Sequence, residues 1–423
     1  MRVRGQHVRA VPGLRDAGDE GAGVRHYSDP GLHLGHRGRG HHRRSGHLAD
    51  LRGGHGADRR LHGEFLRPGR RVQEGRPLVT AVDLRKLPSS REVYLCRNEG
   101  YFPVLVTPGG EEVLAVLRGG AGHVGIWGRL DAVRSHDGGR TWAKPSVIVN
   151  GAWDDRNPGV GIAPDGAVVL AYHEQGSYGP DAKFAPRLRR VQMRVTRSLD
   201  RGVTWEASWP LGFPEMEKYS AYGRIVTLPD GTMLLPIYGR GEKAEQDHSC
   251  LLRSQDSGVT WDDPSVIAEG FAETAVLLLP DGDLLAAMRS SKGGRLDVCR
   301  SSDGGRTWTE PGPGTGESEH PADLTLLSNG WVLMVFGVRY APFGVQAMVS
   351  RDGGQTWGAR LTICDDLGDV DIGYPSTVRL GDRLVTAYYS APRRVDDPYY
   401  RGEGTFARAL LYSERELMEA YNR

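Results

Sequence analysis

The sequence predicts an all-β fold, a six-bladed β-propeller built from four-stranded antiparallel blades. Two interleaved repeats and their common spacing support this prediction. The first repeat is the eight-residue pattern Ser-x-Asp-x-Gly-x-Thr-Trp, which occurs five times. The second repeat, an apolar strand followed by a tight turn and another apolar strand, occurs six times. Repeating units of about 50 residues that contain several strands are typical of propeller blades.

The eight-residue pattern predicts a hairpin turn. Its Asp and Ser side chains can bond nearby backbone N–H groups, its Gly permits a positive φ, and its Trp can cover the sheet behind it. The five Trp residues are separated by 63, 56, 47 and 49 residues, at Trp142, Trp205, Trp261, Trp308 and Trp357. We therefore interpret the Asp residues of the pattern as structural and not as catalytic carboxylates.

The second repeat sets the number of blades. Its six turns lie at residues 108–110, 164–166, 229–231, 280–282, 328–330 and 381–383, between β-rich apolar runs. Five of these hairpins are followed by the eight-residue pattern, which closes a second hairpin. Each repeating unit therefore contains two hairpins, that is, four strands. The strands are expected between residues 85 and 415, and a helix-like stretch at 413–421 is expected to pack on the outside.

The first 78 residues differ in composition from the rest of the chain. They contain nine of the 14 histidines and none of the nine tryptophans, and they have almost no periodic apolar residues. Such a segment cannot bury enough surface to offset its chain entropy. We predict that residues 1–78 are disordered or are not native coding sequence, and that residues 79–423 form the propeller. Because no apolar signal-peptide core follows the early arginines, a cytoplasmic location is expected.

Charge and motif content exclude several function classes. The 54 Lys and Arg balance 53 Asp and Glu, so the chain lacks the basic excess of a nucleic-acid binder. No apolar run approaches the roughly 20 residues that span a bilayer. The four cysteines are far apart in the sequence, and no dinucleotide, P-loop or zinc-protease motif is present. We therefore predict no cofactor, no metal site, and no nucleic-acid or membrane partner.

The blade register predicts where a site would form. Counting nine residues back from the last residue of each turn gives the innermost-strand positions Tyr101, Asn157, Tyr222, Glu273, Pro321 and Tyr374. The return strands reach the same end of the channel at Arg118, His173, Tyr238, Arg289 and Arg339. Several arginines around one cavity indicate a carboxylate-bearing ligand. A Tyr beside a Glu is a plausible pair of nucleophile and base.

The repeats and these segments resemble the sialidase superfamily, in which the eight-residue pattern is called the Asp-box or BNR repeat. Phe271-Ala272-Glu273-Thr274 with Ala287-Met288-Arg289-Ser290 resembles the segment that carries a Glu and one arginine of a carboxylate-binding triad. Gly373-Tyr374-Pro375-Ser376 resembles the segment of the nucleophile, and Arg339 resembles another triad arginine. The resemblance implies a retaining glycosidase in which Glu273 activates Tyr374.

Two departures from the family pattern concern the same site. Sialidases carry Arg-Ile-Pro at the first inner strand, where this sequence has Tyr101-Phe102-Pro103, so Arg97 or Arg118 is a candidate replacement. The loop at residues 119–125, which should hold an acid/base Asp, contains His123 as its only titratable residue. Histidine can carry out acid/base chemistry near neutral pH.

We predict an exo-acting hydrolase for an acidic sugar, with catalytic Tyr374, Glu273 and His123. The substrate-binding candidates are polar residues at the channel mouth: Arg118, Asp155, Arg156, Asn157, Tyr222, Arg224, Arg289 and Arg339. The alternative is a propeller without hydrolytic activity, either a lyase of uronic-acid glycans or a glycan-binding protein. A lyase would release an unsaturated product that absorbs ultraviolet light, and a binding protein would release no product.

Overall fold

A computed structural model describes residues 82–188, 190–213, 218–241, 246–392, 397 and 399–422. It confirms the predicted all-β fold, a propeller of six antiparallel blades. The predicted disordered or non-native segment, residues 1–78, lies outside the described residues.

The first three blades follow one another along the chain. Blade 1 comprises Tyr101–Gly109, Glu112–Gly119, Arg129–Ser135 and Ser146–Val149. Blade 2 comprises Asp154–Ile162, Val168–Gln175, Val191–Ser198 and Trp209–Pro210. The innermost strand of blade 3 is broken into Ser220–Ala221 and Val226–Thr227, and its other strands are Met233–Gly239, His248–Ser254 and Asp262–Glu269. Between the two broken pieces, Gly223–Arg224 pairs with blade 2 instead.

The last three blades complete the ring. Blade 4 comprises Phe271–Leu278, Leu284–Ser290, Leu296–Ser301 and Gly312–Pro313. Blade 5 comprises Glu319–Leu326, Val332–Val338, Gly344–Ser350 and Leu361–Cys364, with Val82–Asp83 added in parallel at its outer edge. Blade 6 comprises Ile372–Leu380, Arg383–Ser390, Phe406–Ser413 and, as its outermost strand, Arg91–Arg97. Short 3-10 helices span Leu84–Lys86 and Pro186–Leu188.

The ring of blades is closed by pairing an early strand of the propeller with a late one. Arg91–Arg97 pairs antiparallel with Phe406–Ser413, so the first and last long strands share blade 6. The helix Glu414–Tyr421 follows directly, and the Ser413 side chain caps it by accepting a hydrogen bond from the Glu416 N–H at 3.1 Å. Leu417 of this helix is buried in the cluster between blades 5 and 6, as expected for a helix packed on the outside.

The five eight-residue patterns form the predicted turns at the end of the propeller opposite the channel mouth. In each, the Ser hydroxyl accepts the buried Gly N–H, as Ser301 does from Gly305 at 2.8 Å, and donates to the Asp carboxylate. The Asp accepts from the Thr backbone and hydroxyl groups. At Asp137, partial burial would raise the carboxyl pKa, but bonds from Thr141 and Ser135 lower it to about 2. This geometry supports a structural role for the Asp residues.

Removal of one Ser hydroxyl is expected to destabilise the fold. Ser301→Ala leaves the buried Gly305 N–H without its acceptor, which costs about 1–3 kcal/mol of unfolding free energy. Urea unfolding of the full chain measures the loss. The exposed neighbour Ser302, whose side chain makes no hydrogen bond to a described residue, provides the matched control Ser302→Ala. Equal stability of the two variants would contradict a structural role for the Ser hydroxyl.

A β-bulge lies at the mouth end of the innermost strand in every blade except the broken blade 3. The extra residue falls between pairs such as Phe271/Thr274 and Gly373/Ser376. Three first bulge residues have positive φ: Phe102 at 55°, Asn157 at 52° and Tyr374 at 47°. Each is followed by proline, which has no N–H to leave unpaired. Bulges redirect side chains locally, and here they turn them towards the channel mouth.

Candidate active site

Tyr374, Glu273 and Arg289 form a connected group at the channel mouth. The Tyr374 hydroxyl donates to Glu273 Oε1 at 2.7 Å. Arg289 Nη1 donates to both oxygens of the same carboxylate, at 3.0 and 3.1 Å. Tyr374 and Glu273 are buried, whereas the Arg289 side chain is 31% exposed. The structure thus brings together the three residues that the blade register placed at one height.

The electrostatics fix the resting protonation states of this group. Burial by itself would raise the carboxyl pKa of Glu273, but the charge of Arg289 and the hydrogen bond from Tyr374 lower it. Burial and the negative charge of Glu273 raise the pKa of Tyr374 well above its usual range. The resting pair is therefore a phenol and a carboxylate. A proton can pass from Tyr374 to Glu273 as the phenol oxygen forms a new bond.

The backbone around Tyr374 is held by a close contact between two glycines. Gly373 has φ of 90° and precedes Tyr374, which itself has positive φ. A Cβ on Gly373 would lie 2.9 Å from the Cα of Gly337 in blade 5, so only glycine fits. Backbone strain of this kind persists only where surrounding structure enforces it, and it is frequent at active sites.

Two further arginines lie at the mouth. Arg339 places its guanidinium carbon 5.5 Å from the Tyr374 ring centroid and donates to the Ile372 carbonyl at 3.0 Å. The Arg156 side chain is only 9% exposed, and its ion pair is a distant one, from Nε to Asp154 Oδ2 at 3.9 Å. Among described residues the Arg156 guanidinium has no hydrogen-bond acceptor, and its Nε is buried without one. A buried guanidinium whose nearest carboxylate is 3.9 Å away can accept a further anionic partner.

His123 lies beside this group and has a carboxylate partner. Its Nδ1 is 2.7 Å from Asp371 Oδ1, which also accepts from the Tyr389 hydroxyl at 2.5 Å. The Phe102 ring lies between His123 and Tyr374, with centroid separations of 4.9 and 4.7 Å. His123 and Asp371 line a pocket that also contains Tyr178 and Tyr400. Tyr374 and His123 therefore lie on opposite sides of the Phe102 ring, at the same end of the channel.

Arg118 does not take the predicted position. Its side chain is fully buried and donates to Asp154 at 2.5 Å and to carbonyls of the 119–125 loop, including Gly122 and Gly125. On the second strand of blade 4, the residue opposite the bulge of the innermost strand is Arg289. On the second strand of blade 1, the residue in that position is Leu117. Arg118 lies one residue further and points to the other face of the sheet. It holds the His123 loop in place and is closed to a ligand, contrary to the substrate-binding prediction.

Asp155 and Asn157 are also engaged by the protein. Asp155 is fully buried on the face opposite to Arg156 and accepts the Gly151 N–H at 2.7 Å. Its burial, with the negative charge of Glu174, raises its pKa to about 7. Asn157 reaches the mouth and donates to the Tyr238 hydroxyl at 2.9 Å. The structure thus separates Asp155 from the mouth, contrary to the prediction, and keeps Asn157 there.

Tyr222 and Arg224 close the channel beneath the site. The Tyr222 ring centroid is 5.9 Å from that of Tyr374, and its hydroxyl donates to the Ala322 carbonyl at 2.7 Å. Arg224 pairs with Asp323 at 2.9 Å and donates to the Thr377 carbonyl, so the short strand that pairs with blade 2 is also linked to blades 5 and 6. Both residues line an apolar pocket below Tyr374. Tyr222 and Arg224 therefore lie beneath the site, below Tyr374, and not at its opening.

The sequence reasoning missed two partners, Asp371 for His123 and Asp154 for Arg118. Asp371 lies three residues before Tyr374, and Asp154 lies three residues before Asn157. Both occur at the same distance before a bulge, and both bind a segment of blade 1. Extending the register by three residues could have identified them as a pair.

The chain is similar in sequence and in fold to known proteins. The profile of a family described as a BNR repeat-like domain matches residues 117–386, more than half of the chain. The chain belongs to this family. Among curated proteins, this BNR repeat-like chain is similar to a sialidase of Bacteroides fragilis, with 26% identity over 284 residues. That alignment covers 56% of this chain and 49% of the relative, so the chain spans about half the length of the curated relative.

Solved structures share the fold of this BNR repeat-like propeller. A Dyadobacter fermentans protein of unknown function has a TM-score of 0.64 and 24% identity, covering 77% of this chain and 100% of its own. A Hadza microbial sialidase has a TM-score of 0.59 and 20% identity, covering 75% and 66%. Trypanosoma rangeli sialidase in complex with sialic acid has a TM-score of 0.59 and 16% identity, covering 81% and 61%. At these identities the likeness identifies a sialidase-like propeller fold.

The described ranges contain neither a metal-binding group of side chains nor a long apolar helix. There, no group of three or more His, Cys, Asp or Glu side chains is arranged to hold a metal ion. The helices in this part of the chain are too short or too polar to cross a bilayer. The four cysteines, all buried, are unpaired.

Proposed function

We propose that this protein is a retaining exo-glycoside hydrolase that acts on a carboxylate-bearing sugar of the sialic acid kind. The observation that carries the proposal is the hydrogen-bonded group of Tyr374, Glu273 and Arg289 at the mouth of a sialidase-like propeller. The similarity to a Bacteroides fragilis sialidase supports the same class of substrate.

The proposed reaction uses Tyr374 as nucleophile. As its phenol oxygen attacks the anomeric carbon, the phenol proton moves to Glu273, and the bond to the leaving group breaks. A second step reverses these movements: water attacks the anomeric carbon, Tyr374 leaves, and Glu273 returns its proton to the phenol. Two displacements at the same carbon retain the anomeric configuration. His123 is the proposed proton carrier for the leaving group and then for water.

The proposed sugar class follows from the arginines. Arg289 and Arg339 border Tyr374, and Arg156 has no hydrogen-bond acceptor among described residues. A substrate carboxylate placed among them would supply the missing anion, and guanidinium groups bind carboxylates with directed pairs of hydrogen bonds. We propose Arg156 as the residue that takes the place of the first arginine, which the Tyr101-Phe102-Pro103 segment lacks.

A turnover panel on the full chain tests this proposal. The panel contains aryl glycosides of sialic acid, related nonulosonic acids and uronic acids, each matched with a neutral aryl glycoside. We expect aryl release from at least one acidic sugar and none from the neutral controls, with the first-formed sugar in the retained configuration by NMR. An ultraviolet-absorbing unsaturated product would instead indicate a lyase. Binding of the acidic sugars without any product would indicate a glycan-binding protein.

A further inference from the structure

We propose that Asp371 is a positioning residue that, together with Tyr389, holds His123 so that its Nε2 faces the pocket and transfers the proton to the leaving group. This inference rests on the proposed function and deepens it. Asp371 lies immediately before the innermost strand of blade 6, three residues before Tyr374, so one short segment carries the proposed nucleophile and the partner of the proposed proton carrier.

Of the two ring nitrogens of His123, only Nε2 is available to exchange a proton with a substrate, because Nδ1 is paired with Asp371. Nδ1 of His123 is occupied by Asp371 at 2.7 Å, and a carboxylate can only accept, so Nδ1 carries a proton. Nε2 makes no hydrogen bond to a described residue, and the His123 side chain keeps 27% of its surface exposed at the pocket. The His123 ring is also braced edge-on by Phe102 at 4.9 Å. The tautomer and the ring orientation are thus set by contacts on one side.

The Asp371 carboxylate is itself held in place. It is 7% exposed, and its Oδ1 accepts from the Tyr389 hydroxyl as well as from His123. Burial by itself would raise the carboxyl pKa of Asp371, but His123 and the Tyr389 hydrogen bond lower it, so the group stays charged. A fixed negative charge at Nδ1 stabilises the imidazolium form that must exist before a proton is given away.

Opposing charges around His123 make its protonation depend on the substrate. Burial lowers the pKa of His123, Asp371 raises it, and the positive charges of Arg156 and Arg339 lower it. A substrate carboxylate between those arginines would offset their effect, so the bound complex should hold the proton more firmly than the free protein. The other titratable side chains facing this pocket are Tyr101, Tyr178, Lys183, Asp397 and Tyr400.

Every proton that moves in the two steps is supplied and taken up by His123, Glu273, Tyr374, the substrate and water, so no further reactant is needed. In the first step the His123 Nε2–H proton goes to the glycosidic oxygen as its bond to the anomeric carbon breaks. In the second step Nε2 takes a proton from the attacking water, which restores the imidazolium. Asp371 keeps its charge throughout and exchanges no proton with substrate, which is why it is a positioning residue and not a catalytic one.

NMR of the full chain labelled with ¹⁵N at histidine tests the positioning role without substrate. The His123 resonances are identified by their loss in His123→Gln. We expect Asp371→Asn, which keeps an acceptor but removes the charge, to move the His123 titration midpoint to lower pH by about 1–3 units. The matched control is Asp369→Asn, a half-buried acid in the same loop whose carboxylate accepts the Val370 N–H at 2.6 Å, and it should leave the midpoint unchanged. An unchanged midpoint in Asp371→Asn would overturn the positioning role.

Kinetics test the catalytic consequence. Because the imidazolium is the active form in the first step, activity falls as pH rises through the His123 pKa, and Asp371→Asn should move this alkaline limb to lower pH. The loss of kcat should be larger for a sugar leaving group than for a nitrophenol, which needs less protonation. A shifted NMR midpoint with an unshifted kinetic limb would overturn the proton-carrier assignment. Absence of turnover in the wild-type panel would contradict the proposed function. The NMR titration would still test whether Asp371 positions His123, because it needs no substrate.

Discussion

Tyr374→Phe is expected to lower kcat on the order of 10³-fold or more, with little change in the unfolding free energy. The variant removes only the phenol oxygen, which is the proposed nucleophile and donates to Glu273 at 2.7 Å. Residues that act as a unit lose most of the rate when any one of them is removed. Steady-state kinetics on the best acidic aryl glycoside measures the effect. Mass spectrometry of the wild-type protein with a slow analogue that carries fluorine on the carbon next to the anomeric carbon should also show a sugar attached at Tyr374.

A matched control separates chemistry from packing. Tyr412 lies in the same blade, is buried, and its hydroxyl is 2.9 Å from the Thr386 hydroxyl, away from the mouth. Tyr412→Phe removes an equivalent buried hydroxyl and should retain wild-type kcat. Full activity of Tyr374→Phe would rule out the retaining mechanism through this residue. An equal loss in both variants would attribute the effect to blade packing.

Arg156→Met is expected to raise KM for a carboxylate-bearing sugar by about 30-fold or more while leaving stability unchanged or improved. A buried charge paired with a ligand carboxylate contributes about 2–5 kcal/mol to binding. In the free protein the same guanidinium is buried without a hydrogen-bond acceptor among described residues, so its replacement by an apolar side chain carries little folding cost. Kinetics and urea unfolding of one preparation measure both effects.

The control for Arg156 is an arginine of the same blade that the protein itself satisfies. Arg194 donates to the Ser208 hydroxyl at 3.0 Å and to the Ser208 carbonyl at 2.7 Å. Arg194→Met should therefore lose stability with no change in KM, the opposite of Arg156→Met. If Arg156→Met destabilised the fold and left KM unchanged, Arg156 would be a structural residue and the proposed carboxylate site would be wrong.

The repeat explains how much of the site could be predicted. Tyr374 and Glu273 lie nine residues before the ends of their turns, and the bulges fall at nearly the same height in each blade, so counting places both at one end. In blade 1 the count fails by one residue. The blade 1 hairpin closes at Gly109 and Glu112, so Gly110 begins its turn and does not end it. The count therefore starts two residues too early, and the one residue added by the irregularity between Val106 and Gly109 offsets only half of this error. Phe102, not Tyr101, is the equivalent of Tyr374.

Side-chain direction and loop conformation were beyond the same reasoning. A register gives the height of a residue along the channel, but a shift of one residue turns its side chain to the opposite face, as Arg118 shows. The contact between His123 and Asp371 joins residues 248 positions apart, and it depends on how Arg118 folds the 119–125 loop. The spacing of residues in the sequence does not predict such a contact. The only indirect sign among the described residues is that Asp154 and Asp371 each lie three residues before a bulge residue, Asn157 and Tyr374.

Ring closure in blade 6 imposes an order on biosynthesis. Arg91–Arg97 is synthesised long before Phe406–Ser413, its partner strand among the described residues. The blade that carries Tyr374 and Asp371 therefore cannot be completed until residue 413 has been synthesised. Pairings across so long a stretch of chain form slowly, and the early strand remains open to wrong partners meanwhile. Tyr374 is consequently held in a complete blade only after Phe406–Ser413 has been added, and a chain truncated before residue 406 lacks that strand.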